Sequence, residues 1–253
     1  MLTFNEAQVW AWVSPLLWPF LRVLAMLGTM PVIGQRSVPM RLKVALAFLI
    51  ALVMQPSLPE IPVVALDTPL VLILVLQQVL IGLSIAFAVR IVFAAVEYAG
   101  EIGGLQMGLN FSGFFDPVTR SQSTALTSFF SVVVGLLFVV INGHLLLIAA
   151  VAQSFEAFPV GDSPFAFLRA TRPELWGAEI FSLGLWIALP LIAMLLFANL
   201  VLGIIARVAQ QMNIFAIGFP ITMSVGLVGV LLTLPLMQMP FTMALERMLA
   251  MFQ

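Results

Sequence analysis

Long apolar runs, separated by short polar or proline-rich stretches, dominate this chain. A helix needs about 20 apolar residues to cross roughly 30 Å of hydrocarbon. Six runs approach that length, and they cover residues 10–31, 40–58, 69–96, 122–152, 179–206 and 214–236. The second run has a short uninterrupted core, from Val44 to Met54, and fits half of a hairpin as well as a span. The pattern predicts about six long, partly broken apolar helices, followed by a short amphipathic tail.

The stretch GEIGGLQMGLNFSGFFDPVTR, which begins at Gly100, suits neither a regular span nor an ordinary loop. Gly100, Gly104 and Gly108 are four residues apart, so they lie on one face of a helix. A face without side chains lets a neighbouring helix approach closely, and Gly103 widens this one. We therefore expect the third helix to continue to about Leu109 and to pack tightly through these four glycines.

The second half of this stretch, NFSGFFDPVTR, is predicted to leave the helical conformation. Gly113 is conformationally permissive, and Pro117 disfavours the α region for Asp116. The three phenylalanine rings here need an apolar environment. Two alternatives stay open from the residues alone: a re-entrant loop tucked against its own helices, and a hydrophobic plug or constriction in a pore.

A second polar island, RVAQQMNIFAIGFP, separates the fifth and sixth apolar runs. Its polar side chains fall within seven residues, between two very apolar segments. They are suited to a tight turn whose donors satisfy the last helix carbonyls, or to contact with a partner. The residues concerned are Arg207, Gln210, Gln211 and Asn213.

Composition places these helices in a membrane. Apolar residues make up 62% of the 253 positions and charged residues 8%, too few to cover a water-soluble globule of this size. We therefore predict an all-α membrane protein with a single membrane-embedded domain, residues 1–253, with tentative halves 1–120 and 121–253. A net charge of −1 gives no electrostatic case for nucleic acid. No cysteine and one histidine argue against disulfides and metal clusters.

Few polar side chains interrupt the apolar runs. Arg22 lies inside the first run, where it snorkels to an interface, pairs with a helix-end carbonyl, or meets a buried partner across a subunit contact. Gln77 and Gln78 cannot face the same way on a helix, so we expect at least one of them to point to a neighbouring helix, another subunit or water, with bonding between helices favoured. No carboxylate falls in the centre of a run, and no triad or phosphate-binding motif appears. We expect no catalytic residue, no bound cofactor and no metal.

Four stretches, taken together, resemble the FliR family, the R subunits of the flagellar type III export gate and their virulence-secretion counterparts. They are RVLAMLGTMPVIGQRSVPMRLKVALA (22–47), AGEIGGLQMGLNFSGFFDP (99–117), NGHLLLIAAVAQSFEAFPVG (142–161) and NLVLGIIARVAQQMNIFAIGFP (199–220). The resemblance implies hairpin-forming helices that pack into a helical, hetero-oligomeric export gate. Its implied partners are the P, Q and B subunits, membrane lipid and unfolded flagellar substrates. The implied location is the flagellar basal body in the bacterial inner membrane.

The same resemblance implies roles for individual residues. The loop matching residues 107–117 projects into the channel and helps to plug it, and the four glycines form a close-packed hinge. The implied plug residues are Met107, Asn110, Phe111, Phe114, Phe115 and Asp116. Members of the family often have proline where this chain has Gln210. The expected function is non-enzymatic: to form and seal a channel for unfolded protein. The alternatives are a small-molecule secondary transporter and a virulence-type secretion counterpart of the same gate.

Overall fold

The computed structural model describes residues 6–62, 69–109, 124–161, 165–209, 211 and 214–253. Over these ranges the regular secondary structure is helical, without strands. The α-helices in the described residues are α1 (Glu6–Thr29), α2 (Met40–Met54), α3 (Leu70–Gln106), α4 (Ala125–Val140), α5 (Gly143–Ala157), α6 (Ala166–Thr171), α7 (Gly177–Val208), α8 (Ile214–Thr233) and α9 (Gln238–Leu249). Short 3₁₀ turns follow at Gln55–Ser57, Pro173–Leu175, Leu234–Met237 and Ala250–Phe252.

The helices confirm the predicted all-α membrane class, whereas the number of possible spans differs from six. In the described part of the chain, four segments are long and apolar enough to cross a bilayer: Met40–Ser57, Leu70–Gln106, Gly177–Val208 and Ile217–Phe252. The bent pair α4 and α5 makes a fifth if it counts as one span, and the apolar part of α1, Val13–Thr29, is shorter. The predicted number of six therefore stays a prediction.

The predicted fourth run is broken into two helices. α4 and α5 meet at an angle of 66°, with Asn142 between them in the left-handed conformation at φ 56°. Asparagine tolerates this conformation better than most residues. Gly143 follows, and a side chain there would collide with the Phe138 ring. The Asn-Gly pair therefore permits a sharp bend that the continuous apolar pattern concealed.

The chain forms two compact units that interleave along the sequence. The first comprises Met1–Arg90, Phe138–Trp176 and Leu245–Gln253, and the second comprises Ile91–Leu137 and Gly177–Ala244. Helix α3 contributes residues up to Arg90 to the first unit and the rest to the second. The tentative division into halves 1–120 and 121–253 stays a prediction.

Within the first unit, α1 and α2 form a hairpin. Lys43 of α2 is buried, and its ammonium group donates to the carbonyl oxygens of Gly34 and Gln35 at 2.9 and 3.1 Å. These bonds satisfy backbone acceptors of the connecting loop. The hairpin is thus closed by a polar contact beneath an apolar outer face.

Arg22 confirms one of the three interpretations made from the sequence, because it pairs with a helix-end carbonyl, that of Phe158 after α5, at 3.0 Å. Its side chain is 0% exposed, so it neither snorkels to an interface nor reaches across a subunit contact. Its partners instead come from the same chain, and Gln78 is one of them, at 2.8 Å. Gln77 bonds the carbonyl oxygen of Pro159 at 3.2 Å. The prediction that these glutamines bond neighbouring elements is confirmed.

Within the second unit, α7 and α8 form an antiparallel hairpin. Gly229 of α8 approaches Leu191 and Met194 of α7, while Ile221 and Val225 share a groove with later residues of α7. The second half of α3 packs beside α4 and α7 in the same unit, and the residue after its end, Met107, contacts Gly226 of α8. The end of α3 therefore lies among three other helices.

Candidate functional site

The glycine face of α3 is covered by other parts of this chain. A Cβ at Gly100 would lie 3.0 Å from the Phe130 ring, and one at Gly103 would lie 2.6 Å from a methyl carbon of Leu191. A Cβ at Gly104 would lie 2.7 Å from the hydroxyl of Thr124. Contacts this short leave no room for a side chain, so the three glycines permit α4 and α7 to approach.

Thr124 links the glycine face to the start of α4. Its hydroxyl oxygen accepts a hydrogen bond of 3.0 Å from the backbone N–H of Thr127, as an N-cap residue does. Ser131, one helical turn further, donates from its hydroxyl to a carboxylate oxygen of Glu97 at 2.7 Å. These polar contacts fix the register of α4 against the second half of α3.

Gly108 ends the glycine helix. Its φ of 79° lies in the left-handed region, which side chains disfavour. The Gly108 N–H bonds the carbonyl of Leu105 at 3.1 Å, and the preceding N–H of Met107 bonds that of Gly103 at 2.9 Å. Glycine at this position therefore permits the turn that ends the helix.

Met107 anchors the end of α3 on α8. Its side chain is 1% exposed, and a Cβ at Gly226 would lie 2.5 to 2.7 Å from its Cγ, Sδ and Cε atoms. Gly226 therefore provides the space that the thioether fills. Of the residues that the resemblance assigns to the plug, Met107 alone lies in the described part of the chain, and it is buried rather than projecting.

Gly184 makes a close approach that the sequence did not reveal. A Cβ on this residue of α7 would lie 2.7 Å from the backbone carbonyl oxygen of Ala95 and equally close to the Tyr98 ring. Phe181, one turn earlier, packs edge-on against Tyr98 with ring centroids 5.3 Å apart. Backbone contact and aromatic packing therefore fasten α7 to α3 just before the glycine face begins.

A cavity of about 420 Å³ opens beside this helix end. Its lining comes from the end of α3, the last turns of α7 and the first turns of α8, and includes Asn199, Gly203, Gly218 and Thr222. Gln106 also lines it, and the Oε1 atom of this residue is buried without a hydrogen-bond partner among the described residues. The cavity is thus mainly apolar, with a few amide and hydroxyl groups.

The remaining predicted residues fall into two sets. Arg207 and Gln211 are exposed, near the turn between α7 and α8. Outside the described residues lie Asn110, Phe111, Phe114, Phe115, Asp116, Gln210 and Asn213. Their roles in a plug and in turn or partner contacts therefore stay predictions.

The described part of this site offers little for covalent chemistry. Nowhere in the described ranges do three or more His, Asp or Glu residues form a group that could hold a metal ion. The lining residues of the cavity carry no ionisable side chain. What the arrangement provides is tight helix packing around a glycine-bounded turn.

Comparison with known proteins identifies the family. A family model described as "Bacterial export proteins, family 1" matches residues 13–248. The chain belongs to this family. It is 43% identical over 232 residues to the flagellar biosynthetic protein FliR of Escherichia coli K12, covering 90% of this chain and 87% of that protein. FliR of Pectobacterium carotovorum is 42% identical over 243 residues, covering 93% and 90%.

The family match extends to distant relatives and includes the whole candidate site. FliR of Bacillus subtilis is 30% identical over 216 residues, with 83% of this chain and 82% of that protein covered. The glycine face, the cavity and the turn between α7 and α8 all lie inside residues 13–248. The resemblance inferred from the four sequence stretches is thereby confirmed.

Proposed function

We propose that this chain is a non-enzymatic subunit of the flagellar type III protein export gate, which forms and seals a channel for unfolded flagellar proteins. The observation that carries this proposal is the similarity to FliR proteins at 42 to 43% identity over at least 90% of the chain.

The exposed surface of α7 supports assembly with other components. Large apolar side chains here stay open to solvent in the isolated chain, for example Trp186 at 70% and Phe197 at 68%. Exposed apolar surface of this extent requires lipid or other subunits to cover it. We assign this cover to the P, Q and B subunits of the gate and to lipid of the bacterial inner membrane, in the flagellar basal body.

The sealing role is assigned to the segment that follows the glycine turn. Gly108 redirects the chain immediately before Asn110 and Phe111, and Met107 fixes that turn to α8. Phenylalanine rings exclude water and ions from a constriction, and neighbouring glycines allow them to be displaced. Phe111, Phe114 and Phe115 therefore form the proposed seal, with Asn110 and Asp116 beside them.

Purification of the tagged chain from its native bacterium tests the gate assignment. We expect it to be recovered in a stable complex with the P and Q subunits, and with the B subunit under mild extraction. A strain lacking the P subunit is the control, and the complex should be absent there. Recovery of the chain alone, together with solute uptake by liposomes that contain it, would support a transporter and contradict the proposal.

Ion conductance tests the seal separately. Replacing Phe111, Phe114 and Phe115 together by glycine should raise the ion leak through the resting complex. The matched control replaces the same three residues by leucine, which keeps apolar bulk and should keep the leak low. If the triple glycine variant assembles normally and its ion leak equals that of the unmodified complex, the proposed seal by these rings is wrong.

A further inference from the structure

Arg22 is a buried cation with an unusual set of partners. Its guanidinium donates three hydrogen bonds: from Nε to Gln78 Oε1 at 2.8 Å, from one terminal nitrogen to Ser154 Oγ at 2.7 Å, and from the other to the Phe158 carbonyl at 3.0 Å. The group also lies 3.6 Å from the centroid of the Phe155 ring. All four partners belong to the first compact unit, as Arg22 does.

None of these partners carries a negative charge. Burying an unpaired cation is costly, so the surroundings must supply electrostatic compensation. Ser154 and Phe158 lie at the C-terminal end of α5, where the helix dipole presents the equivalent of about half a negative charge. The Phe155 ring face adds a cation–π attraction. The end of α5 therefore takes the place of a carboxylate.

The glutamines of α3 extend this contact into a directed chain of hydrogen bonds. Arg22 donates to Gln78, Gln78 Nε2 donates to Gln77 Oε1 at 3.1 Å, and Gln77 Nε2 donates to the Pro159 carbonyl at 3.2 Å. Each amide uses one acceptor and one donor, so the chain has a single consistent direction. Both carbonyls that follow α5, those of Phe158 and Pro159, are bound by this one network.

Gly82 explains how Arg22 reaches its partners. It lies one helical turn after Gln78, on the same face of α3. A side chain at Gly82 would collide with the backbone carbonyl of Arg22 and press on Ala25. α1 and α3 can therefore cross at this point with their backbones close together, which leaves the long arginine side chain free to extend to α5.

We propose that Arg22 is a positioning residue that caps the C-terminal end of α5 from a different helix, and that Gln78 and Gln77 complete the cap. The carbonyl groups bound by this network belong to Phe158 and Pro159, the two residues that directly follow the last helical residue, Ala157. Here the partners come from α1 and α3, so the cap joins three helices at one point. The chain therefore leaves α5 at Phe158 in a fixed direction.

Hydrogen exchange in the assembled complex tests this cap. The variant Arg22→Met keeps most of the side-chain length and removes all the donors, whereas Arg22→Lys keeps the charge and loses the planar fork. Arg36→Met makes the same change at an exposed arginine and serves as the control. We expect backbone amides of residues 150–161 to exchange about tenfold faster, or more, in Arg22→Met. Arg22→Lys should be intermediate and Arg36→Met unchanged.

The location of the effect separates a cap from general packing. Amides in the second half of α3, residues 91–106, should exchange at their original rate in Arg22→Met. Unchanged exchange over residues 150–161 would overturn the proposal, and so would an equal increase over both ranges. If Arg22→Met does not assemble, Gln77→Leu decides, because it removes the bonds of Gln77 to Pro159 and to Gln78 and leaves the three bonds of Arg22 in place. That variant should raise exchange near Pro159 alone, and no change there would equally overturn the cap.

Discussion

Two glycines of α7 allow the close-packing argument to be tested within one helix. Gly184 faces the Ala95 carbonyl, where a Cβ would lie 2.7 Å from the oxygen, while a Cβ at Gly203 would meet nothing within 4 Å. We expect Gly184→Ala to destabilise the protein and Gly203→Ala to leave its stability unchanged or raise it. The two variants make the same chemical change and differ only in what surrounds the added methyl group.

The expected magnitudes follow from that difference. Alanine is favoured over glycine inside a helix by about 0.8 to 1.0 kcal/mol, and this gain applies at both positions. Overpacking typically costs about 1 to 3 kcal/mol, and at Gly184 the nearest obstacle is backbone that cannot rotate away. The gain in helix propensity from glycine to alanine is the same for both variants, so it cancels when their stabilities are compared. Gly184→Ala should therefore be less stable than Gly203→Ala by about 1 to 3 kcal/mol.

The difference in stability is measured by heating the purified complex and monitoring how much of this chain remains in the assembled fraction at each temperature. A difference of 1 kcal/mol corresponds to about 2 to 4 °C in Tm for a chain of this size. We expect Gly184→Ala to melt several degrees below Gly203→Ala. A Gly184→Ala complex that melts at or above the Gly203→Ala complex would refute the inference that α7 and α3 meet through backbone at this point.

Two further predictions concern the glycine face and the bend. Gly104→Leu should lower the yield of folded chain and of complex, because the new side chain displaces the Thr124 cap of α4; normal yield on size-exclusion chromatography would show that this face is not closely packed. Asn142→Val should destabilise the chain by about 1 to 2 kcal/mol, since it forces a β-branched residue into the left-handed conformation. Asn142→Gly is the control and should unfold close to the original midpoint, while equal unfolding of both variants would contradict the assigned conformation.

Periodicity was sufficient to locate the glycine helix but not its neighbours. The four-residue spacing of Gly100, Gly104 and Gly108 predicted one helical face; Gly100 and Gly104 do lie in α3, whereas Gly108 lies in the turn after its last residue, Gln106. The residues that cover this face, among them Thr124, Phe130 and Leu191, are 20 or more positions away in the sequence. No local pattern identifies them. For the same reason, Gly184 carried no signal of its contact with Ala95.

The bend in the fourth apolar run and the identity of the partners of Arg22 could not be predicted, for different physical reasons. The fourth apolar run continues on both sides of Asn142, Gly143 and His144, so only this short interruption, with the conformational tolerance of Asn142 and the lack of a side chain at Gly143, marked a possible break. Arg22 was recognised as exceptional, but its partners lie 56 to 136 residues later in the chain. An arginine in an apolar run can be noticed locally, whereas its compensation depends on tertiary structure.

The distance between Arg22 and Phe158 has a consequence for biosynthesis. These residues are 136 positions apart, so at 5 to 20 residues per second the ribosome needs about 7 to 27 s to supply the second after the first. During that interval the newly made arginine lacks the end of α5 that compensates its charge. The first helix must therefore wait near water or be held by an insertion factor, and it settles into its final position only after α5 has emerged.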